Sequence, residues 1–213
     1  MKYYIALIIQ LTITLGVHAQ NLNVISNCAT NPPNFSKLPY KEADEAAFLE
    51  DDLIGRGAKT ICPEYITNLV NQLRYGQLDN DNKVLAIWLL GELHPIDANS
   101  IDVLIEYVDL KATKLDPKTR IRRWGDYPAE EALIKIGMPT VNHILNHLST
   151  ETNELRRHLM CVVLVEVEGK KGEVFNGADG KAITQNQIKH KLADESDSTR
   201  RANLEAALKE LEK

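Results

Sequence analysis

Nearly from Tyr40 to the end, the chain returns to one pattern: an apolar residue, three others, then another apolar residue. Leu69 and Leu73, Leu104 and Val108, Ile144 and Leu148, and Ile188 and Leu192 mark four such stripes. Spacings of three or four residues put side chains on one face of an α-helix. The stripes begin 35, 40 and 44 residues apart. Each is followed by a second apolar run: "LAIWLLGEL", "AEEALIKIG", "LMCVVLVEV" and "NLEAALKEL". Aligned on Leu89, Ala132, Val163 and Ala207, these lie 20, 28, 19 and 19 residues beyond the first anchors. A near-constant spacing with one longer member is a repeat carrying one insertion.

Punctuation supports helix pairs. In "EEALIKIGMPTVNHILNHL", Gly137 suits a left-handed helix end and Pro139 the first turn of the next helix. Ser100 and Asn153 stand where N-caps are needed, with Asp102 and Glu154 following in the first turn. An earlier helix is expected over Lys41 to Ile54, closed by Gly55 and Gly57. "FNGADGKAI" has turn signals but not the acidic spacing of a calcium loop, so a long surface loop is expected there. Neither helix of a pair can bury its stripe alone, and stacked pairs share one core.

On "KVLAIWLLGELHPIDANSIDVLIEYV" and "YPAEEALIKIGMPTVNHILNHL" the sequence resembles HEAT repeats, in particular those of exported bacterial HEAT-repeat proteins. The resemblance covers about Leu53 to Lys213. It implies an all-α fold, a right-handed α-α superhelix (an armadillo-like solenoid) of about four helix pairs that binds other macromolecules along one face. The Gly-rich segment Gly169 to Gly180 departs from it, being longer than a usual repeat turn. Two enzymatic relatives of this architecture fit less well. The di-iron hydroxylases carry repeated His-Glu dipeptides, and here no His precedes a Glu. The DNA glycosylases use a basic concave face, which "RIRRWGD" resembles only faintly.

The first residues change the picture of location. Lys2, the apolar stretch from Ile5 to Val17 and Val17-His18-Ala19 read as a signal peptide over residues 1–19, cleaved before Gln20. Residues 20–39, rich in Asn, Pro and Ser, read as a disordered or extended tail, and 40–213 as the helical domain. The expected compartment is exported: periplasm, cell surface or medium. No later stretch is apolar enough to span a bilayer. Of 25 basic side chains one is in the leader, against 30 acidic, so the mature chain carries a formal charge of −6. That balance argues against general nucleic-acid binding. Among the three cysteines, Cys161 sits in an apolar run as a buried thiol; Cys28 and Cys62 either pair, pinning the tail, or stay free.

The insertion carries the candidate chemistry. Between Lys111 and Arg123 there are six basic residues against one acid, Asp116, followed by Trp124, Gly125 and Tyr127. Arginine offers planar forks for carboxylate or phosphate, and Trp and Tyr anchor interfaces. Arg120, Arg122, Arg123, Trp124 and Tyr127 are therefore the expected partner-binding residues, for a protein or peptide that can be acidic. The bland reading has the arginines solvated or paired with the acidic run Glu42 to Asp52, and Trp124 packed on the stack. An enzymatic alternative takes Arg120, Arg122 and Arg123 as anion holders and Asp126, Glu130 or Glu131 as a proton-transfer group. His143 and His147 share a metal-ligand spacing, yet lie off the apolar stripe without an evident third ligand, which favours a solvated polar face. Trp88 reads as core or groove lining. No nucleophile elbow, phosphate loop, zincin motif or Cys-x-x-Cys is present. No catalytic residue, cofactor or metal is expected.

Overall fold

The computed structural model describes residues 29–39, 41–47, 61–112, 125–174 and 179–212. The expected leader, Cys28, the later part of the helix expected over Lys41–Ile54 and the tip of the insertion lie outside these residues. Among the described residues a helical stretch over 41–47 precedes eight helices. They are α1 (Pro63–Tyr75), α2 (Asn80–Leu93), α3 (Ala98–Glu106), α4 (Pro128–Ile136), α5 (Thr140–Leu148), α6 (Glu154–Val174), α7 (Gly180–Asp194) and α8 (Ser198–Glu210). The one extended pairing among the described residues is a bridge between Ala29 and Ile61. No described helix is long and apolar enough to cross a membrane. The fold is all-α.

Helix starts follow from short acidic side chains and prolines. Asp79 accepts from the Asn82 amide at 2.8 Å, and Asp179 and Asp197 do the same for α7 and α8. Pro63 and Pro128 occupy the first turns of α1 and α4, where no amide partner is lost. Asn153 caps α6, accepting from the Arg156 amide at 3.2 Å. Ser100 is not the cap of α3, as its sequence position suggested. Asp97 is, accepting from both the Ser100 amide and its hydroxyl; a carboxylate one turn earlier outcompetes the hydroxyl for those donors. Gly137 ends α4 at φ +78°, a conformation that favours glycine.

α1, α3 and α5 pack side by side in one row, and α2, α4 and α6 in another. Each helix of the first row also packs on its successor in the second. Leu69, Leu73, Leu104, Val108, Ile144 and Leu148 are buried between the rows, as are Leu89, Ala132 and Val163. α2 is buried on every side from Val84 to Gly91, as expected for a helix covered by both α1 and α4. Gly91 makes that closeness possible: a Cβ there would stand 2.7 Å from the Ala132 Cβ.

The fourth pair is seated differently. α7 packs along α6, and α8 closes across α5, α6 and α7. Much of the segment Gly169 to Gly180, longer than a usual repeat turn, is helical: α6 continues through Gly169 and Gly172 to Val174 and α7 begins at Gly180, while residues 175–178 of the expected loop lie outside the described residues. A Cβ on Gly180 would stand 2.6 Å from the Gly169 nitrogen and strike the Val165 carbonyl. Close packing of α6 on α7 therefore outweighs the roughly 1 kcal/mol by which glycine disfavours a helix. Buried Glu168 accepts from Gln187 at 2.7 Å across this crossing.

Residues 29–39 lie against α1 and α2. Phe35 is fully buried, its amide donates to Gln72, and its carbonyl accepts from Asn82 at 3.0 Å. Cys62 is disulfide-bonded and Cys161 is a free, buried thiol; Cys28, the expected partner of Cys62, lies outside the described residues. Arg156 of α6 ties the end of α3 to the start of α6. It pairs with Glu151 (2.7 Å) and Asp109 (3.0 Å) and donates to the carbonyls of Glu106 (2.8 Å) and Ile105 (3.1 Å).

Candidate functional site

The insertion leaves α3 and rejoins at α4, and its neck is closed. The Ala112 amide donates to the Asp126 carbonyl at 2.8 Å. Lys111 and Asp126 approach to 3.4 Å, both largely exposed, so their attraction adds little to the backbone bond. The Gly125 amide donates to the Glu131 carboxylate. Val108 and Leu110, leading out of α3, are buried and half-buried. Residues 113–124 lie outside the described residues, and with them Arg120, Arg122, Arg123 and Trp124. Tyr127 is half-buried, packed against the core immediately before Pro128. Gly125 is thus held by Glu131. A Cβ there would stand 2.7 Å from a Glu131 carboxylate oxygen.

Glu130 follows in the first turn of α4. Burial, then the neighbouring charge of Glu131, raises its pKa; Glu166 raises it further, while His158 opposes the shift. A carboxyl named as a candidate proton-transfer group thus stands near His158 and Glu166 on α6. Beyond them lies a cavity of about 260 Å³ where α6 meets α7 and α8. His158 Nδ1 stands 3.6 Å from Glu210, whose carboxylate is almost wholly buried. The Cys161 thiol in its wall has its pKa pushed up to about 12, chiefly by burial, and is neutral and unreactive near neutral pH. These residues come from α4, α6 and α8, spread over some eighty positions, and no short motif links them.

Elsewhere the histidine expectation needs correcting. His143 and His147 do lie off the apolar stripe of α5, but they are not simply solvated. Nδ1 of His143 is 3.0 Å and Nε2 of His147 3.4 Å from the same Asp102 oxygen on α3. One turn of α5 thereby grips the neighbouring helix of its row. Among the described residues no group of three His, Cys, Asp or Glu side chains could hold a metal ion. Trp88 is buried on α2, near Pro128 and Lys135 of α4. Lys135 itself pairs with Glu92.

Compared with protein-family models, curated proteins and solved structures, the chain finds no match.

Proposed function

We propose that this chain is an exported α-solenoid of the HEAT type, a right-handed stack of four helix pairs that holds a protein or peptide partner without catalysis. The insertion carries the recognition, through Arg120, Arg122, Arg123, Trp124 and Tyr127, and the partner can be acidic. One observation supports this above the rest: the closed neck. α3 and α4 pack on each other directly, while the bond from Ala112 to Asp126 joins the two ends of the insertion. The packing of the stack does not require the residues between, and extra residues on a scaffold commonly serve recognition. α7 and α8 expose Lys181, Lys189, His190, Asp194, Arg200 and Glu205, a polar outer face of the kind that caps a stack.

The test compares the full protein with a variant in which 113–124 is replaced by a short Gly-Ser link. The parent captures a partner and the shortened chain, equally folded, does not. Arg122→Ala with Arg123→Ala slows association, and more so at low salt. Trp124→Ala speeds dissociation about 30-fold, the size of a 2 kcal/mol hot spot. If Trp124→Ala instead unfolds the protein while affinity per folded molecule is unchanged, the insertion is only a long loop.

The enzymatic alternative draws on Glu130, whose pKa is raised by burial near His158 and Glu166. Groups shifted in this way concentrate at catalytic sites. It requires an anionic substrate held by the insertion's arginines. A turnover that survives Glu130→Gln at full rate would remove it.

A further inference from the structure

Residues 30–35 lie along α1 as a bound strand would. Asn68 Nδ2 donates to the Thr30 carbonyl at 3.0 Å. One turn on, Gln72 Nε2 donates to the Pro33 carbonyl at 2.9 Å and its Oε1 accepts from the Phe35 amide at 3.0 Å. Asn82 of α2 donates to the Phe35 carbonyl at 3.0 Å. A second bond from Asn68, to Asn31 Oδ1 at 3.1 Å, is the one of this set that reaches a side chain of the strand. The others go to main chain, which every sequence shares. Pro32 and Pro33 have no amide hydrogen to satisfy and favour an extended backbone. Pro32 is buried and Phe35 fully so. Two apolar side chains thus anchor a strand that three amide side chains align.

The match is incomplete at one atom. Asn82 is 4% exposed, and its Oδ1 finds no hydrogen-bond partner among the described residues. A buried acceptor left unmet is costly, and a strand bringing a donor to it would bind better than this one. What favours residues 30–35 is their attachment. Just before them the Ala29 carbonyl accepts from the Cys62 amide at 3.1 Å, and after them Ala43 and Ala47 are buried in the core.

We infer that α1 and the start of α2 form a recognition site for an extended proline-rich strand of a partner protein, filled here in cis by residues 30–35. The frame it reads is two adjacent prolines with an aromatic residue two places after the second. Such strands lose little conformational freedom on docking, because proline has already set their backbone. Main-chain bonds supply the alignment, and the buried aromatic ring supplies the anchor. The cis strand competes through its attachment, which gives it an effective concentration on the order of millimolar. A partner strand enters when it is locally abundant or brings the donor that Asn82 lacks. The insertion takes no part in these contacts, so the partner-binding reading given to it stands or falls separately.

Titration of the full protein with a synthetic peptide copying residues 30–37 tests the inference, read by the side-chain amide shifts of Asn68 and Gln72 and by anisotropy of a labelled peptide. The parent should bind it saturably at roughly millimolar peptide, since the strand in cis must be displaced. Phe35→Ala in the full chain vacates the aromatic seat and should bind the peptide at least about tenfold more tightly. Adding Gln72→Ala to Phe35→Ala should weaken that binding about tenfold, the size of two ordinary hydrogen bonds. A peptide that keeps both prolines and the phenylalanine but has alanine elsewhere should bind within about threefold of the first, and one lacking the phenylalanine should not bind. If Phe35→Ala does not fold, Phe35→Leu serves for the same comparisons. No shift in the parent at several millimolar peptide would make residues 30–35 a fixed part of the core and overturn the inference. So would equal binding by the parent and Phe35→Ala, or failure of the alanine-substituted peptide. A parent that is dimeric by light scattering and monomeric as Phe35→Ala would give the seat to a second copy of this chain and overturn the assignment to a partner.

Discussion

Arg156 is the side chain whose loss should be felt furthest. It is four-fifths buried and joins three segments: the end of α3, the start of the insertion at Asp109, and Glu151 before α6. Arg156→Ala removes the Glu151 pair, whose acceptor is 14% exposed, and the Asp109 pair, whose acceptor is 35% exposed. It also removes the donors to the Ile105 and Glu106 carbonyls. A charge-assisted bond to a largely buried acceptor contributes about 1.5–3 kcal/mol, and a more exposed pair below about 1. Water can replace part of what the carbonyls lose, so the contributions do not sum. The expected loss is about 2–4 kcal/mol, a fall in Tm of roughly 5–15 °C for a chain of this size. Arg156→Lys keeps the charge but loses the fork, and should recover about half. Urea melts of the parent, both variants and the Glu151→Ala double mutant would measure this. pH offers a second reading. Burial raises the Glu151 pKa, but bonds from Arg156 and the Asn153 amide outweigh it, leaving the net value lowered. A lowered folded pKa adds stability above the unfolded value, lost as pH falls through the folded one. The deficit of Arg156→Ala should therefore narrow below the ordinary glutamate value of about 4.3. A loss under about 0.5 kcal/mol, or a Lys variant equal to the parent, would refute the latch, since that is the size of an ordinary surface change.

Four other outcomes follow from the packing. Ile144→Ala, at a fully buried anchor of α5, should cost about 2–5 kcal/mol in denaturant melts. Gly180→Ala would drive a methyl into the backbone of Gly169 and Val165; forcing α6 and α7 apart should cost about 1–3 kcal/mol. Thr184 is fully buried and its hydroxyl finds no hydrogen-bond partner among the described residues, so Thr184→Val should raise stability by about 1 kcal/mol. Cys161, with a thiol pKa near 12, should resist iodoacetamide at pH 8 in the native protein and react once unfolded, as peptide mass spectrometry would report.

Much of this was local and so legible in the sequence. The stripe anchors Leu69, Leu104 and Ile144 and their counterparts Leu89, Ala132 and Val163 are buried as their spacing predicts, because the helical period and the burial it implies are set within one or two turns. The break at Gly137 depends on backbone conformation alone and was equally readable. The tertiary structure decided whatever depends on partners distant in sequence. Gly169 looked like the start of an over-long turn because what supports its helix is the close approach of Gly180 from another element. His143 and His147 looked solvated because their acceptor, Asp102, is some forty residues away on α3. Arg156 carried no signal in the sequence, because the carbonyls it serves belong to another helix some fifty residues away. A period records which way a side chain faces on its own helix. Which helix it meets there follows only from how the rows close on one another, and that closure is fixed by contacts summed over the whole chain.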